Sequence, residues 1–408
     1  MTSRVDGAGR FLEYCSFYDA AGRILTGRRD DRQGVWEIAD TGFTGVTSDA
    51  HDAVSMAVDG EGYLHLAWST HNGDLRLARS LEPGAMDFEE VPTAGSRTDS
   101  VTYPEFYRQP SGSLLLLYRN GRSGEADVIL DRYDPQTQAW YRVSDELISG
   151  GETSPYWQAC TDSRGRLHIS WCWRETSDVT TNFDICYMVS EDEACERFER
   201  SDGTAQALPA SRENADTIAD IPQGSMLINQ TSMTVDAEDR PYIASYWRGN
   251  GTVQYRVLRA PHADSAGAVS GWEIIDTGIR TTDFAVEGRG TQALPCARPQ
   301  ILVRGAGSDA EIFLLLRDDE WGGRAALACL APEEDGSDAG YSTRLIMLTS
   351  EDMGEWEPVC DVDLWRSGLG LRVFLQQEGY MQDSADMSAV GSGQESEIWI
   401  LDLSMDPG

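Results

Sequence analysis

Short apolar strands separated by tight polar turns run along most of the chain, and helix-period patterning is scarce. The stretch 51–80, HDAVSMAVDGEGYLHLAWSTHNGDLRLARS, sets the pattern. Val54 to Val58 predicts one strand, Asp59-Gly60-Glu61-Gly62 a tight turn, and Tyr63 to Trp68 a second strand. Asn72-Gly73-Asp74 reads as a polar corner, with a third strand over Leu75 to Ala78. Such a meander cannot bury its own faces, so it is expected to be one unit of a repeated β structure. His51 and His71 flank it at strand ends, where side chains can converge on a pocket.

The same unit recurs as RQPSGSLLLLY (108–118), TDSRGRLHISW (161–171), VDAEDRPYIASYW (235–247) and, more divergent, VRGAGSDAEIFLLLR (303–317). An earlier copy is YDAAGRILTG (18–27) and a last one EIWILDL (397–403). The turns at Asp19, Asp59, Pro110, Asp162 and Asp236 fall 40, 51, 52 and 74 residues apart. Periods near 40 to 50 with four strands each mark β-propeller blades. The expectation is an all-β, seven-bladed β-propeller, one domain over 1–408, with the N- and C-terminal segments completing one blade together. Segment 200–224 is polar, lacks strand periodicity and reads as an insertion. SEDEACERF (190–198) and SEDMGEW (350–356) are partial matches to the turn S-x-D-x-G-x-x-W.

Composition narrows the partners. The net charge is −35, from 68 acidic and 33 basic residues, and every basic residue is Arg. That balance argues against nucleic acid and anionic membranes as partners, while leaving room for an anionic substrate in a locally basic pocket. No apolar run is long enough for a membrane helix, and the N-terminus lacks a basic start followed by an apolar core, so a cytoplasmic protein is expected, or a secreted one if a leader has been removed. The eight cysteines form no CxxC pair and read as reduced, buried, small apolar residues. Cys160, His168, Cys172 and Cys186 come nearest to a zinc set, and their spacing does not support one. No D-x-D-x-D run supports calcium, although a structural Ca²⁺ is compatible with the fold, and no cofactor is required.

The motifs HDAVSMAVDGEGYLHLAWSTHN, TYPEFYRQPSGSLLLLYRNGRSGEADVILDRYD, SPYWQACTDSRGRLHISWCWRET, LINQTSMTVDAEDRPYIASYWR, ARPQILV and FLLLRDDEWGGR resemble the BNR-4 repeat family, from about residue 45 to about residue 400. Characterised members include ulvan lyases, rhamnosyl-glucuronate lyases that trim gum arabic side chains, and α-L-rhamnosidases, all seven-bladed propellers. The resemblance implies a catalytic set of two His, a Tyr and Arg residues at one mouth. By motif these fall on His51, His71, Tyr103, Arg119 and, in WRET, Arg174. One departure is Phe183 in TNFDICY, where relatives often carry His.

Residue chemistry fits that set. A uronate lyase removes the C5 proton beside a carboxylate and expels the sugar at O4. An arginine fork neutralises the carboxylate, and Arg119 and Arg174 each follow an apolar or aromatic strand. In D-glucuronate the C5 proton and O4 lie on one side, so Tyr103 can take and return the proton, with a nearby arginine favouring its ionised form. His51 and His71 would hold substrate, tune Tyr103 or serve a C5 epimer. Asn72, Asn182, Asn229, Gln230, Trp173 and Arg248 are candidates for sugar contacts, with Trp173 as a stacking platform. His65 and His168 sit between apolar strand neighbours and read as structural, and His262 as a solvated loop residue.

The expected activity is β-elimination at an L-rhamnose-α-1,4-D-glucuronate linkage, on anionic oligosaccharides or polysaccharides. The alternatives are an exo-acting α-L-rhamnosidase using carboxyl pairs among Asp52, Glu105, Glu175 and Asp184, and a non-catalytic carbohydrate-binding propeller.

Overall fold

The structure, a computed structural model, describes residues 1–408 apart from 31–33, 48, 69–70, 250, 262–270, 333–340, 380–395 and 405–408. His262 therefore lies outside the described residues.

Among the described residues, seven antiparallel sheets follow one another along the chain, the architecture of a seven-bladed β-propeller, with one short α-helix, Val362–Arg366. The described residues group into two compact units. The first comprises Met1–Arg122, Ala126–Leu147 and Val359–Gly408, and the second Ser123–Glu125 and Ile148–Pro358. Among the described residues no helix is long and apolar enough to cross a membrane.

Three of the repeated turns are built by a leading aspartate. Asp59 accepts from the backbone of Gly62 and Tyr63 through Oδ1 and meets His65 Nε2 through Oδ2 at 3.1 Å. Asp162 does the same for Arg164, Arg166 and His168, and Asp236 for Glu238, Arg240 and Tyr242. A carboxylate is acceptor-only, so one Asp at the turn saturates several donors that no strand partner reaches. His65 and His168 are thus buried structural groups, as their place in the strands predicts, and burial lowers both of their pKa values.

A second device recurs in three sheets. The hydroxyls of Ser80, Ser190 and Thr349 each accept a backbone N–H from near the start of the neighbouring strand, at Leu64, Leu167 and Ala325. Each then donates to the carbonyl two residues on, at Glu82, Asp192 and Glu351. The two segments that partly match S-x-D-x-G-x-x-W lie here, and the Ser80 turn is a third copy that sequence reading passed over.

Three expectations change. Among the described residues the terminal segments share no sheet. Thr2–Val5, Phe11–Tyr18, Arg23–Asp30 and Trp36–Thr44 form one, and Val359–Cys360, Leu371–Gln376 and Ile398–Leu403 another. They are joined by side chains instead, including Thr2 with Asp363, Ser3 with Asp361, Arg29 with Asp402 and Arg372 with Glu13. Segment 200–224 is not strandless, because Ala205–Gln206 extends the fourth sheet and Asp216–Ala219 pairs with the edge of Asn182–Ser190. Third, His71–Gly73 is not a mere corner. It leaves its own meander and pairs with Val101–Arg108 of the next sheet. Asn72 at φ +53° makes this short excursion possible, a conformation that asparagine tolerates better than most residues.

Candidate active site

The first unit assembles four of the expected residues, and the strand excursion is the reason. Its pairing of His71 with Thr102 sets the second histidine beside the start of Val101–Arg108. In that strand the register jumps from Thr102 opposite Arg119 to Glu105 opposite Leu117, so Tyr103 and Pro104 together face one residue. Pro104 has no N–H for the ladder, and Tyr103 adopts φ +59°. A bulge of this kind re-aims a side chain that a regular strand would bury. Tyr103 ends half-buried.

Around it the contacts are close. The His51 and Tyr103 ring centroids are 5.6 Å apart, and Arg119 Cζ lies 5.0 Å from the Tyr103 ring centroid. Arg119 is 2% exposed and donates to Thr102 Oγ1 at 3.1 Å and Asn72 Oδ1 at 3.4 Å. It lies three residues inside the strand Leu114–Arg122, not at its end as the apolar pattern implied. Asn72, expected as a sugar contact, helps seat this arginine.

The two histidines stack, with centroids 3.9 Å apart and planes 17° from parallel. Both reach one carboxylate, that of Asp49. His51 Nδ1 lies 2.6 Å from its Oδ1, and His71 Nδ1 2.5 Å from its Oδ2. Burial opposes ionisation of Asp49, but the bonds to His51 and His71 outweigh it and hold the carboxyl far below its usual range. Sequence reading missed Asp49. The signal available was local, since an Asp two residues before His51 can form an Asx turn, and Oδ1 does accept the His51 backbone N–H at 2.9 Å. Asp52 is 8% exposed with Oδ1 unbonded, and burial, aided by the charge of Asp49, pushes its pKa up to about 6.

The donor atoms of Asp49, His51 and His71 lie within 4.8 Å of one another, a spacing that could hold a metal ion. Cys172 and Cys186, from the sequence-level zinc set, are buried thiols pushed up to about 12, far from the thiolate a metal needs. His168 spends both ring nitrogens on Asp162 and Tyr187.

The second unit gathers Arg174, Asn182 and Asn229. Arg174 closes the strand Leu167–Arg174 and donates through Nε to Asn182 Oδ1 at 2.7 Å and through Nη2 to Asn229 Oδ1 at 2.8 Å. Its Cζ lies 4.4 Å from the Tyr156 ring centroid, and Nη1 is 3.3 Å from that hydroxyl. Asn182 is itself anchored on the Leu227 carbonyl at 2.7 Å. Among the described residues Arg174 has no carboxylate partner. Glu175 bonds Gln223 and Arg212 instead, and Asp178 caps Thr180. Gln230 adopts φ +53° and accepts from Asn229.

Two expected sugar contacts are otherwise employed. Trp173 is 2% exposed and meets Trp171 edge-on at 5.9 Å, so its ring is core and offers no face for stacking. Arg248 is engaged by both oxygens of Asp283 and by the Phe284 carbonyl. Phe183 is buried beneath Arg212, whose Cζ lies 4.9 Å from its ring centroid.

In this β-propeller a histidine pair, a tyrosine and an arginine thus meet around the bulge of one strand. The model of the BNR repeat-containing family matches residues 12–267, and the chain belongs to that family. The match begins earlier and ends sooner than the motif resemblance does. An ulvan lyase, long isoform, of Glaciecola sp. (strain KUL10) is 30% identical over 70 residues, which is 16% of this chain and only 7% of that protein. Among solved structures, a PL25 ulvan lyase bound to -[GlcA(1-4)Rha3S]- matches with TM-score 0.71 at 14% identity, over 98% of this chain and 91% of that one. The polysaccharide lyase Uly1 matches with TM-score 0.63 at 15% identity, over 99% and 90%. The α-L-arabinanase of Penicillium chrysogenum matches with TM-score 0.50 at 13% identity, over 86% and 93%. At these identities the likeness is one of fold.

Proposed function

We propose that the chain is a polysaccharide or oligosaccharide lyase that cleaves an L-rhamnose-α-1,4-D-glucuronate linkage by β-elimination. The observation that carries the reading is Tyr103, turned out of its strand by the bulge, with the Arg119 guanidinium over its ring and His51 beside it. In the proposed step Tyr103 takes the proton from C5, the C4–O4 bond breaks, a C4=C5 double bond forms, and the proton passes to O4 of the departing rhamnose. A guanidinium on the uronate carboxylate makes the C5 proton removable by stabilising the charge that develops there.

Arg174 supports an anionic substrate. A buried guanidinium whose hydrogen bonds, among the described residues, go to neutral groups is costly in a protein interior, and an incoming carboxylate or sulfate offsets that cost. The ulvan lyase of similar fold is bound to a glucuronate-rhamnose sulfate chain, which is the same substrate chemistry. No metal or cofactor is needed in this scheme.

Hydrolysis is the second reading. Asp52 and Glu105 are two carboxyls whose pKa values burial raises, as a general acid requires. The product decides between them. Incubation with a rhamnosyl-glucuronate oligosaccharide should yield an unsaturated uronate that absorbs in the ultraviolet. Release of rhamnose without that chromophore overturns the elimination and favours the hydrolase, and retention without turnover favours a binding propeller.

A further inference from the structure

The two site histidines and the two structural histidines use opposite ring nitrogens. His65 and His168 meet Asp59 and Asp162 through Nε2, whereas His51 and His71 both meet Asp49 through Nδ1. We propose that Asp49 is a positioning residue that sets both site imidazoles as Nδ1–H tautomers and aims their Nε2 atoms away from the carboxylate as acceptors. The inference rests on the lyase reading only for the use made of those nitrogens.

The argument is one of donor accounting. An ionised carboxylate accepts and never donates, so a ring nitrogen 2.5 or 2.6 Å from it must carry the proton. One carboxylate does this for both rings, Oδ1 for His51 and Oδ2 for His71, which also explains their near-parallel stack. Asp49 is itself held in place, because Oδ1 accepts the His51 backbone N–H and the Asp49 carbonyl accepts that of Asp52 at 3.1 Å. With Nδ1 protonated, a neutral imidazole has its lone pair on Nε2. A ring fixed this way is a base or a hydroxyl acceptor at one defined atom.

Asparagine at position 49 keeps the shape but offers one acceptor and one donor, so it cannot serve two Nδ1–H groups. The test uses the full chain labelled with ¹⁵N in its imidazoles and long-range ¹H–¹⁵N spectra, and the five histidines keep assignment simple. The wild type is expected to show Nδ1–H patterns for His51 and His71, and Nε2–H patterns for His65 and His168 as internal controls. Asp49→Asn should convert one site ring to Nε2–H and lower kcat by about 10²-fold, with KM within about threefold. Asp49→Glu, which restores a carboxylate, should recover an Nδ1–H signal and part of kcat. Nε2–H patterns at His51 and His71 in the wild type, or two unchanged Nδ1–H rings in Asp49→Asn, overturn the proposal. The spectra need no substrate, so an inactive protein with the expected tautomers refutes only the lyase reading.

Discussion

Arg119 lies over the ring of Tyr103, its Cζ 5.0 Å from the ring centroid, although a regular ladder would not bring the two side chains face to face. Thr102, not Tyr103, is the residue paired with Arg119, and the bulge at Tyr103-Pro104 supplies the turn that sets ring against guanidinium. Ring and cation are therefore placed by backbone geometry before any substrate arrives.

Tyr103→Phe removes one oxygen and leaves the ring under Arg119. We expect kcat to fall by about 10²- to 10⁴-fold while substrate affinity changes little. Steady-state kinetics beside calorimetric binding of the same oligosaccharide checks this. Equal turnover in both proteins would remove Tyr103 from the chemistry.

Arg119→Lys keeps the charge but loses the planar fork. A lysine ammonium cannot hold Thr102 and Asn72 together while facing Tyr103, so kcat is expected to fall by about 10²-fold. Stability should fall by about 1–3 kcal/mol, because buried acceptors lose their donor. Turnover and chemical denaturation of the purified variant read the two effects separately.

Asp52 makes stability depend on pH. Its carboxyl is raised from 3.8 to about 6 by burial and the Asp49 charge. Below about pH 4 it is neutral in both folded and unfolded chains, and it costs nothing. As pH rises toward and past 6 the unfolded chain ionises freely while the folded one resists, so stability is lost across that window. Asp52→Asn should therefore be more stable than wild type at pH 7, by on the order of 2 kcal/mol, with the two converging near pH 4. Denaturation midpoints measured from pH 4 to pH 8 give the answer, and parallel curves would refute it.

Gly112 and Gly60 sit where two turns touch. The Gly60 N–H donates to the Gly112 carbonyl at 2.8 Å, and a Cβ added at Gly112, where φ is +87°, would lie 2.4 Å from Gly60 Cα. Backbone cannot yield as a flexible side chain does. Gly112→Ala should destabilise the protein by about 2 kcal/mol or more, through the strained φ and the overlap together. Thermal melting of the variant tests it, and an unchanged midpoint would mean that the turns separate at little cost.

The amino-acid sequence determined the strands, the repeated acidic turns and the all-β blade architecture. Alternating apolar residues and Asp-led turns such as VDGEG and TDSRG are local signals, satisfied within a dozen residues of chain. It also named His51, His71, Tyr103 and Arg119, because these stand in recognisable motifs at the ends of that local pattern. Burial of His65 and His168 was readable for the same reason, from apolar neighbours on either side.

Tertiary structure alone decided the partners. That His71–Gly73 pairs with a strand of the next sheet, that one carboxylate serves both histidines, and that Trp173 turns inward all depend on residues distant in sequence. The separate terminal sheets belong here too, since which strands share an edge is settled by burial and pairing across the chain, not by any strand's own alternation. Local pattern sets what each segment is, while long-range packing and the need to satisfy every buried donor set what it meets.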